Sequence, residues 1–413
     1  MNPRAHNSVV LLGFTVDDTL LDEISQRSAV LPTQTHRFAW NLVGALRSAG
    51  VTVSLLSALP VPNFPEYPDI VIRSHSIEER GVSGITLGFV NVLVLKHLTR
   101  LHSCLTRGIK FVRGQSPDVV VVHGVHTPFL LFARILGHAL KVSTCLVMTD
   151  PPGLVREVDS RLARGLKGID RRLTRYLASG FDGVIALTPA LADDFAPAVA
   201  RLILEGFVDP QLAEPIGAPE EEQDEYVIAY AGGISAEYGV KNLVRAFQSI
   251  PGGRLRLDLY GTGTLDPWVL EQSAIDDRIR YRGVLGHKEL MVRLRSAALL
   301  VNPRPAAQGF VKYSFPSKLL EYLTLGVPVV TTRLSGIPVA YLPHLVLVDD
   351  DSVESLARAI LEVQSDRRAA WERATRGQRF VVEQKSVLMQ GNRIVEFFLS
   401  FDLSRETSTK VSA

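Results

Sequence analysis

The chain has 413 residues, 46% of them apolar and 21% charged, which is typical of a folded protein with a large core and excludes general disorder. Its formal net charge of +2 provides no strong overall basic field, so no nucleic-acid partner is expected. The two cysteines, Cys104 and Cys145, belong to no CxxC or Cys/His cluster and predict neither a disulfide framework nor a zinc site.

Length and apolar runs also indicate the number of domains and the compartment. A chain of this length is too long for one compact core and suits two domains. No apolar run reaches the roughly 18 to 20 residues that span a bilayer, and residues 1–12 lack the pattern of a signal peptide. We expect a cytoplasmic protein that could also lie peripherally on the inner face of the plasma membrane.

The first half of the chain alternates short β-branched runs with longer amphipathic stretches. A helical period covers residues 35–49, with Gly50 as a typical stop. The alternation predicts parallel βαβ units and a doubly wound, Rossmann-like sheet. Its strands are predicted at residues 9–14, 52–56, 119–123, 143–148 and 183–187.

A change of composition separates the two halves. Residues 209–225 are acidic and carry three prolines, so we predict a linker there between domains at residues 1–208 and 226–385. Residues 386–413 are predicted to form a C-terminal helix and tail that could pack back on the N-terminal domain. Strands of the second Rossmann-like domain are predicted at residues 227–231, 255–260, 279–282, 299–302 and 327–332.

The sharpest chemical signal lies at residues 315–323, which begin Phe-Pro-Ser-Lys. Pro316 suits the first turn of a helix, and Ser314 just upstream can cap it. The free N–H groups at such a helix start suit a diphosphate, and Lys318 adds a full positive charge. Glu321, on the same face, can accept hydrogen bonds from the vicinal hydroxyls of a ribose. The alternative is an ordinary surface ion pair between Lys318 and Glu321.

Other polar candidates follow predicted strands. His123 and Arg304 each stand at the carboxyl end of a strand, where open α/β sheets bind ligands. His123 could instead be a buried core histidine, and Arg304 a solvated loop charge. His126 is predicted to cap or orient the following helix. The chain has no G-x-G-x-x-G, P-loop, G-x-S-x-G or H-E-x-x-H motif, which argues against NAD enzymes, P-loop NTPases and hydrolases.

The second half resembles the donor site of the retaining glycosyltransferases of family four, which have the GT-B fold. In that family a Glu-x7-Glu motif runs into a Gly-x-Pro-Val-Val strand, and Glu321, Gly326 and Pro328 match its second glutamate, glycine and proline. Residues 230–233 and 259–263 resemble the family's glycine-bearing strand ends.

The resemblance extends over most of the chain. Residues 281–285 resemble the segment that contacts the nucleotide base, and the strand ending at His123 resembles the one that ends in the family's active-site histidine. It implies two Rossmann-like domains facing a central cleft, with a nucleoside diphosphate sugar as co-substrate and no metal or other cofactor. The catalytic residue it implies is His123, and Lys318 and Arg304 complete the predicted catalytic set on the evidence of their own positions in the sequence. The donor-binding residues it implies are Gly232, Gly233, Gly261, Val284, Leu285, Ser314, Phe315, Pro316, Ser317 and Glu321.

Three positions depart from the family pattern. Tyr313 stands where the first glutamate would contact the donor sugar, and Gly233 and Tyr238 stand where the family has an arginine and a lysine. Because neither replacement can neutralise a phosphate, Arg304 and Lys318 are predicted to supply that charge.

The first half is expected to bind the acceptor. Thr33, Gln34 and His36 precede or open the first long helix and could hydrogen-bond a sugar or lipid head group, or simply cap the helix. Residues 96–113 carry five Lys/Arg and no acids, and residues 156–175 are also basic. These stretches are either solvated helix faces or a surface for anionic membrane lipid, with Arg100 among the lipid-facing cations.

The predicted function is transfer of a sugar from a UDP- or GDP-sugar to a hydroxyl of a glycan, glycolipid or small molecule, with retention and without metal. One alternative is an inactive GT-B relative that binds a nucleotide sugar or assists a partner, because family residues are replaced at three positions. Another is a nucleotide-sugar epimerase, against which the missing first glutamate argues.

Overall fold

The computed structural model describes residues 7–27, 33–153, 161–214, 225–307, 311–348 and 350–411. The chain divides into two units, each built around its own main sheet. Unit 1 contains Met1–Glu205 together with Val387–Ala413, and unit 2 contains Gly206–Ser386. Unit 1 is therefore discontinuous in sequence, whereas unit 2 is one continuous segment.

Unit 1 alternates strands and helices along most of its length. Its strands in the described residues are β1 (Ser8–Gly13), β2 (Thr52–Ala58), β3 (Val71–Ile72), β4 (Ser76–Glu79), β5 (Val82–Leu87), β6 (Phe89–Val90), β7 (Val119–His123), β8 (Ser143–Met148), β9 (Gly183–Ala186) and β10 (Ala200–Ile203). The helices before residue 206 are α1 (Asp18–Arg27), α2 (Thr33–Ser48), α3 (Leu93–Ser103), α4 (Ile109–Gln115), α5 (Thr127–Leu140), α6 (Arg161–Ala178) and α7 (Pro189–Phe195).

The main sheet of unit 1 has the order β10-β9-β8-β7-β1-β2-β5-β4. Its neighbours are parallel except β4, which runs antiparallel to β5 at the edge, and β3 and β6 form a separate antiparallel pair. Every residue of β7, β8 and β9 is buried, as expected when helices cover both faces of a parallel sheet. The direction of winding reverses between β1 and β7.

Unit 2 repeats the alternation. Its strands in the described residues are β11 (Tyr226–Ala231), β12 (Leu255–Tyr260), β13 (Ile279–Gly283), β14 (Leu299–Asn302), β15 (Val329–Thr332) and β16 (Val346–Val348). Its helices there are α8 (Val240–Ser249), α9 (Asp266–Ile275), α10 (His287–Arg295), α11 (Lys318–Leu325), α12 (Val353–Ser365) and α13 (Arg367–Lys385).

The sheet of unit 2 is parallel throughout, in the order β13-β12-β11-β14-β15-β16. This is the strand order of a Rossmann fold. Alternate residues of β11 point into two different apolar clusters: Ile228 packs with Phe247 of α8, and Ala229 packs with Leu319 of α11. Helices therefore cover both faces of the sheet.

The last helix, α14 (Val387–Val411), belongs to unit 1, where it packs on α2. A Cβ on Gly391 would overlap the carbonyl oxygen of Ala45, so only glycine allows this approach of the two helices. Arg393 adds a hydrogen bond of 3.0 Å from Nη2 to the carbonyl oxygen of Ile203.

The predicted doubly wound α/β fold class is confirmed, and each of the ten predicted strands lies within two residues of an observed one. The long helix predicted at residues 35–49 is α2, and Gly50 follows it with a φ of 84°. Within the predicted linker, Pro210–Leu212 forms a 3₁₀ turn of unit 2, and residues 215–224 lie outside the described residues.

Candidate functional site

The strand order places a candidate site of unit 2 where β11 and β14 lie side by side and the winding of the sheet reverses. Ligands of open α/β sheets bind outside the carboxyl ends of the strands at such a point. Gly232 and Gly233 follow β11, and Pro303 and Arg304 follow β14.

Glycines let these loops approach one another closely. Gly261 has a φ of 130°, and a Cβ there would overlap the carbonyl oxygen of Gly232. Gly239 has a φ of 78°, and a Cβ there would overlap the carbonyl oxygen of Pro303. The loop after β11 is thus packed directly against the end of β14, in a backbone conformation that favours glycine.

Arg304 lies inside this arrangement. Its guanidinium carbon is 5.9 Å from the centroid of the Tyr238 ring, and its Nη1 donates to the Ser314 hydroxyl at 3.3 Å. Burial lowers the pKa of Arg304. Tyr238 stands where the family pattern has a lysine, and Arg304 lies beside it.

Helix α11 begins at Lys318, two residues later than predicted, so Pro316 lies before the helix and Ser314 does not cap it. The residue in the cap position is Ser317, whose side chain makes no capping hydrogen bond. The Ser314 hydroxyl accepts from Arg304 instead. The N–H groups of Leu319 and Leu320 donate to the carbonyls of Pro316 and Ser317 at 2.8 and 3.2 Å, so these two are already bonded within the first turn, contrary to the expectation of free N–H groups.

The predicted pair on α11 is present. Lys318 Nζ lies 3.0 Å from Glu321 Oε2, and both side chains are partly exposed. Tyr322, the next residue, ties the helix to the end of β11: its hydroxyl accepts from the N–H of Ala231 at 2.9 Å and donates to the Ala231 carbonyl at 3.2 Å. Tyr322 therefore fixes the position of Lys318 and Glu321 relative to β11.

The remaining donor-site candidates differ in what they expose. Phe315 is buried, with its ring 5.2 Å from that of Tyr341, and Pro316 is also buried, so Phe315 can offer a ligand only its backbone. Val284 is exposed and Leu285 packs partly on the core. Tyr313, in place of the first glutamate of the motif, is buried.

In unit 1, His123 ends β7 beside the end of β1, where the winding reverses. A Cβ on Gly13 would be 3.3 Å from the His123 carbonyl oxygen, so β1 and β7 approach closely there. The His123 ring is buried and stacks on Phe38, with centroids 5.6 Å apart. Burial lowers its pKa to about 4, and its Nε2 has no hydrogen-bond partner among the described residues.

Of the three acceptor candidates, His36 alone has a side chain among the described residues. His36 is buried, its Nε2 is 3.5 Å from Asp18 Oδ1, and burial lowers its pKa. Thr33 and Gln34 open α2, but their side chains lie outside the described residues. His126 occupies the cap position of α5 without a side-chain capping bond, and its ring packs edge-on against that of Phe129 in the same helix, with centroids 4.7 Å apart.

Sequence analysis missed Tyr322 and Tyr230, whose hydroxyl donates to the Gly233 carbonyl at 2.9 Å and shapes the loop after β11. A tyrosine in an apolar run gives no sign of its partner, so no sequence signal identifies these contacts. Among the described residues, no three His, Cys, Asp or Glu side chains are grouped as a metal site would require. None of the described helices could cross a membrane.

Two family models match the chain, one in each unit. Residues 35–201 match a glycosyl transferase 4-like domain, and residues 225–366 match the glycosyl transferases group 1 domain. The D-inositol 3-phosphate glycosyltransferase of Mycobacteroides abscessus is 29% identical over 159 residues. That match covers 37% of this chain and about a third of the relative, 34% of its length.

Solved structures match over nearly the whole chain. The sucrose-phosphate synthase of Thermosynechococcus elongatus superimposes with a TM-score of 0.65 at 17% identity, covering 95% of this chain and 99% of that protein. HepE of Anabaena, solved in complex with UDP, superimposes with a TM-score of 0.62 at 15% identity, covering 95% and 100%. These similarities show the fold.

The fold is GT-B. Both family matches are to glycosyltransferase domains, a group 1 domain in unit 2 and a glycosyl transferase 4-like domain in unit 1.

Proposed function

We propose that the protein transfers a sugar from a UDP- or GDP-sugar to a hydroxyl of a glycan, glycolipid or small molecule, with retention and without a metal. The observation that carries this proposal is the position of Arg304 beside Tyr238 and Ser314, at the end of β14. HepE is solved with UDP and with UDP-glucose, which supports a nucleotide sugar as the donor. Retention rests on the resemblance to family four alone.

In this proposal the diphosphate is bound by Arg304 and by Lys318, and the positive end of the α11 dipole adds to their charge. The leaving diphosphate gains negative charge as the glycosidic bond breaks, so fixed positive groups there lower the barrier. Arg304 is partly desolvated, which strengthens its interaction with an anion relative to a charge in water. Gly232, Gly233 and Gly261 are proposed to present their backbone to the donor, in a loop that packs closely on Tyr230, on Tyr238 and on itself.

Glu321 is proposed to accept hydrogen bonds from the ribose hydroxyls, while Val284, Leu285 and the backbone around Phe315, Pro316 and Ser317 contact the rest of the nucleotide. Its ion pair with Lys318 is partly exposed and adds little stability, on the order of 0 to 1 kcal/mol. A ligand can therefore replace that pairing at small cost.

In unit 1 we propose that His123 acts on the sugar and that Thr33, Gln34 and His36 contact the acceptor. The unpaired Nε2 of the buried His123 supports this, because a buried polar nitrogen gains free energy when a ligand supplies its hydrogen bond.

The donor site is tested with Lys318→Ala and Glu321→Ala, using isothermal titration with UDP and GDP and transfer assays with a panel of nucleotide sugars. Lys318→Ala should weaken diphosphate binding most, and Glu321→Ala should weaken nucleoside binding, each by about tenfold. The matched control is the exposed ion pair of α13, Arg368 and Glu372, whose alanine variants should keep full affinity.

Unchanged nucleoside diphosphate affinity in both α11 variants would contradict the donor site. Tight nucleotide binding by the wild type, with neither transfer nor hydrolysis across the panel, would favour the alternative of an inactive relative. That alternative is motivated by Tyr313, Gly233 and Tyr238, which replace family residues.

A further inference from the structure

We infer that helices α3 and α6 of unit 1 form a docking surface for an anionic lipid bilayer. The surface, here called the α3–α6 face, consists of the exposed apolar side chains of Leu93, Val94, Leu95, Leu98, Ile169 and Tyr176 with the cations that surround them. The inference deepens the acceptor side of the proposed function, since a lipid-borne acceptor would be reached there. Binding to vesicles nevertheless requires no transferase activity.

Helix α3 has the reverse of the usual amphipathic pattern. A surface helix ordinarily buries its apolar residues and exposes its charges. In α3 the buried residues are Lys96, Arg100 and Ser103. Leu93, Val94 and Leu98 are 63%, 68% and 60% exposed. A contiguous exposed apolar patch of this kind marks an interaction surface.

The buried cations of α3 have a structural role, which removes Arg100 from the predicted lipid-facing set. Lys96 Nζ donates to the Val61 carbonyl at 2.6 Å, and Arg100 Nη2 donates to the Leu59 carbonyl at 3.1 Å. The Arg100 guanidinium also lies 4.0 Å from the centroid of the Phe89 ring. Burial lowers the pKa of Lys96 to about 8 and that of Arg100 to about 9. Both side chains thus fix the segment after β2 and leave the outward face to apolar residues.

Helix α6 continues the apolar surface. Thr174, Leu177 and Ala178 are buried, whereas Ile169 and Tyr176 are 62% and 67% exposed. Both α3 and α6 pack on α5. The His97 ring of α3 lies 5.2 Å from that of His126, and the adjacent Thr127 hydroxyl donates to Asp170 of α6 at 3.2 Å, so both helices meet the start of α5.

The charges around the face identify the occupant. Residues 80–117 contain no Asp or Glu, and Arg107, Lys110 and Arg113 are exposed just after α3. On α6, Arg172 and Arg175 are exposed. Asp170 is the one acid of α6, and its carboxylate accepts from the Thr127 hydroxyl.

Apolar side chains among cations, with few acids, suit the boundary between anionic head groups and acyl chains. A second copy of this chain would instead bring two positive faces together, which opposes self-association through it.

The test is co-sedimentation of the full chain with vesicles of phosphatidylglycerol and phosphatidylcholine, and with vesicles of phosphatidylcholine alone. The wild type should bind the anionic vesicles at low salt and release them as salt rises. The double variants Val94→Asp/Leu98→Asp and Arg172→Glu/Arg175→Glu should each weaken binding by about tenfold or more.

Matched controls come from unit 2. Ile275→Asp/Val339→Asp changes two apolar residues that are also exposed, and Arg368→Glu reverses a highly exposed cation. Both should bind the anionic vesicles as the wild type does. Because every changed side chain is exposed, thermal unfolding should stay close to that of the wild type, which verifies that loss of binding is not loss of folding.

The inference is overturned if the wild type does not bind anionic vesicles at low salt. It is also overturned if the unit 2 controls lose as much binding as the variants of the α3–α6 face. Equal binding to neutral vesicles contradicts the role of the cations. Dimerisation that Val94→Asp/Leu98→Asp abolishes would assign the face to a second copy and overturn the lipid proposal. Nucleotide affinity of the same variants separates these outcomes from a failure of the donor site, since the changes lie in unit 1.

Discussion

His123 is a buried histidine at the end of β7 whose Nε2 has no hydrogen-bond partner among the described residues. A histidine kept in a core only for packing would ordinarily have both ring nitrogens satisfied. The side chain therefore suits a position that a substrate completes. Sequence analysis could predict its place at the strand end, but not its stacking on Phe38, because α2 and β7 are far apart in sequence.

We predict that His123→Ala lowers turnover much more than it lowers nucleotide affinity. An interaction made with the sugar in the transition state affects kcat, whereas a binding contact affects KM. The expected loss in kcat is about ten- to a thousandfold, or roughly 1.4 to 4 kcal/mol. Steady-state kinetics and nucleotide titration measure the two quantities. Full turnover in a folded variant would identify His123 as a core residue.

Stability should also depend on pH through His123. Its pKa is lowered to about 4 in the folded protein from 6.5, so as pH falls the unfolded chain takes up the proton first. The free energy of unfolding therefore has its full value from this group above pH 6.5. It decreases as the pH falls toward 4, by about 3 kcal/mol in total. Chemical denaturation between these pH values should show that the free energy of unfolding of His123→Gln changes less with pH than that of the wild type. Equal pH dependence in the two proteins would contradict the lowered pKa of His123.

The predicted role of Arg304 depends on where the fold places its side chain, beside Tyr238 and Ser314. We predict that Arg304→Met weakens binding of nucleoside diphosphate by about ten- to a hundredfold, since a charge-assisted hydrogen bond is worth about 1.5 to 3 kcal/mol. Arg304→Lys should recover part of the affinity, because it restores the charge without the planar guanidinium. Titration with UDP and with uridine checks the prediction: a loss of equal size for both ligands would place Arg304 away from the diphosphate.

At the scale of elements, the contact between the loop after β11 and the end of β14 depends on one glycine. Gly239 combines a φ of 78° with a Cβ position that would overlap the Pro303 carbonyl. We predict that Gly239→Ala destabilises unit 2 by about 2 kcal/mol or more, through backbone strain and displacement of Pro303. Gly252→Ala is the control, since a Cβ there meets nothing within 4 Å. Equal melting temperatures of the two variants would contradict the close contact between Gly239 and the Pro303 carbonyl.

The elements also show what sequence periodicity can and cannot predict. Buried parallel strands such as β7 and β14 were predicted because continuous β-branched runs are typical of them. The pair of β3 and β6 was missed, since strands of two residues have no period to detect. Helix α3 was predicted as a basic amphipathic helix, but its apolar residues face outward, because the carbonyls of Leu59 and Val61 bind its cations inside. Such long-range partners leave no trace in a local pattern.

For the candidate site, sequence predicted the residues at strand ends and the Lys318–Glu321 pair. It could not predict that Arg304 lies by Tyr238, because that contact depends on β11 and β14 being neighbours across two intervening βα units. It also misplaced the start of α11, since Pro316 fits both a first helical turn and the preceding loop.

At the scale of the whole molecule, unit 1 is completed by α14, which follows all of unit 2 in sequence. We predict that a chain ending at Ser386 loses stability in unit 1 but keeps nucleotide binding in unit 2, because α14 covers α2. Calorimetry with and without nucleotide checks this, since a ligand raises the melting temperature of the unit that binds it. If deletion of α14 abolished nucleotide binding and left the stability of unit 1 unchanged, the prediction would be wrong.

The discontinuity of unit 1 has a consequence during synthesis on the ribosome. Domains usually fold in order as the chain emerges, at about 5 to 20 residues per second. Here unit 2 is complete once Ser386 has left the exit tunnel, whereas the apolar surface of α2 remains uncovered until residues 387–411 follow. The first half of the nascent chain must therefore stay soluble through the translation of all of unit 2, and it is during this interval that chaperones would be needed.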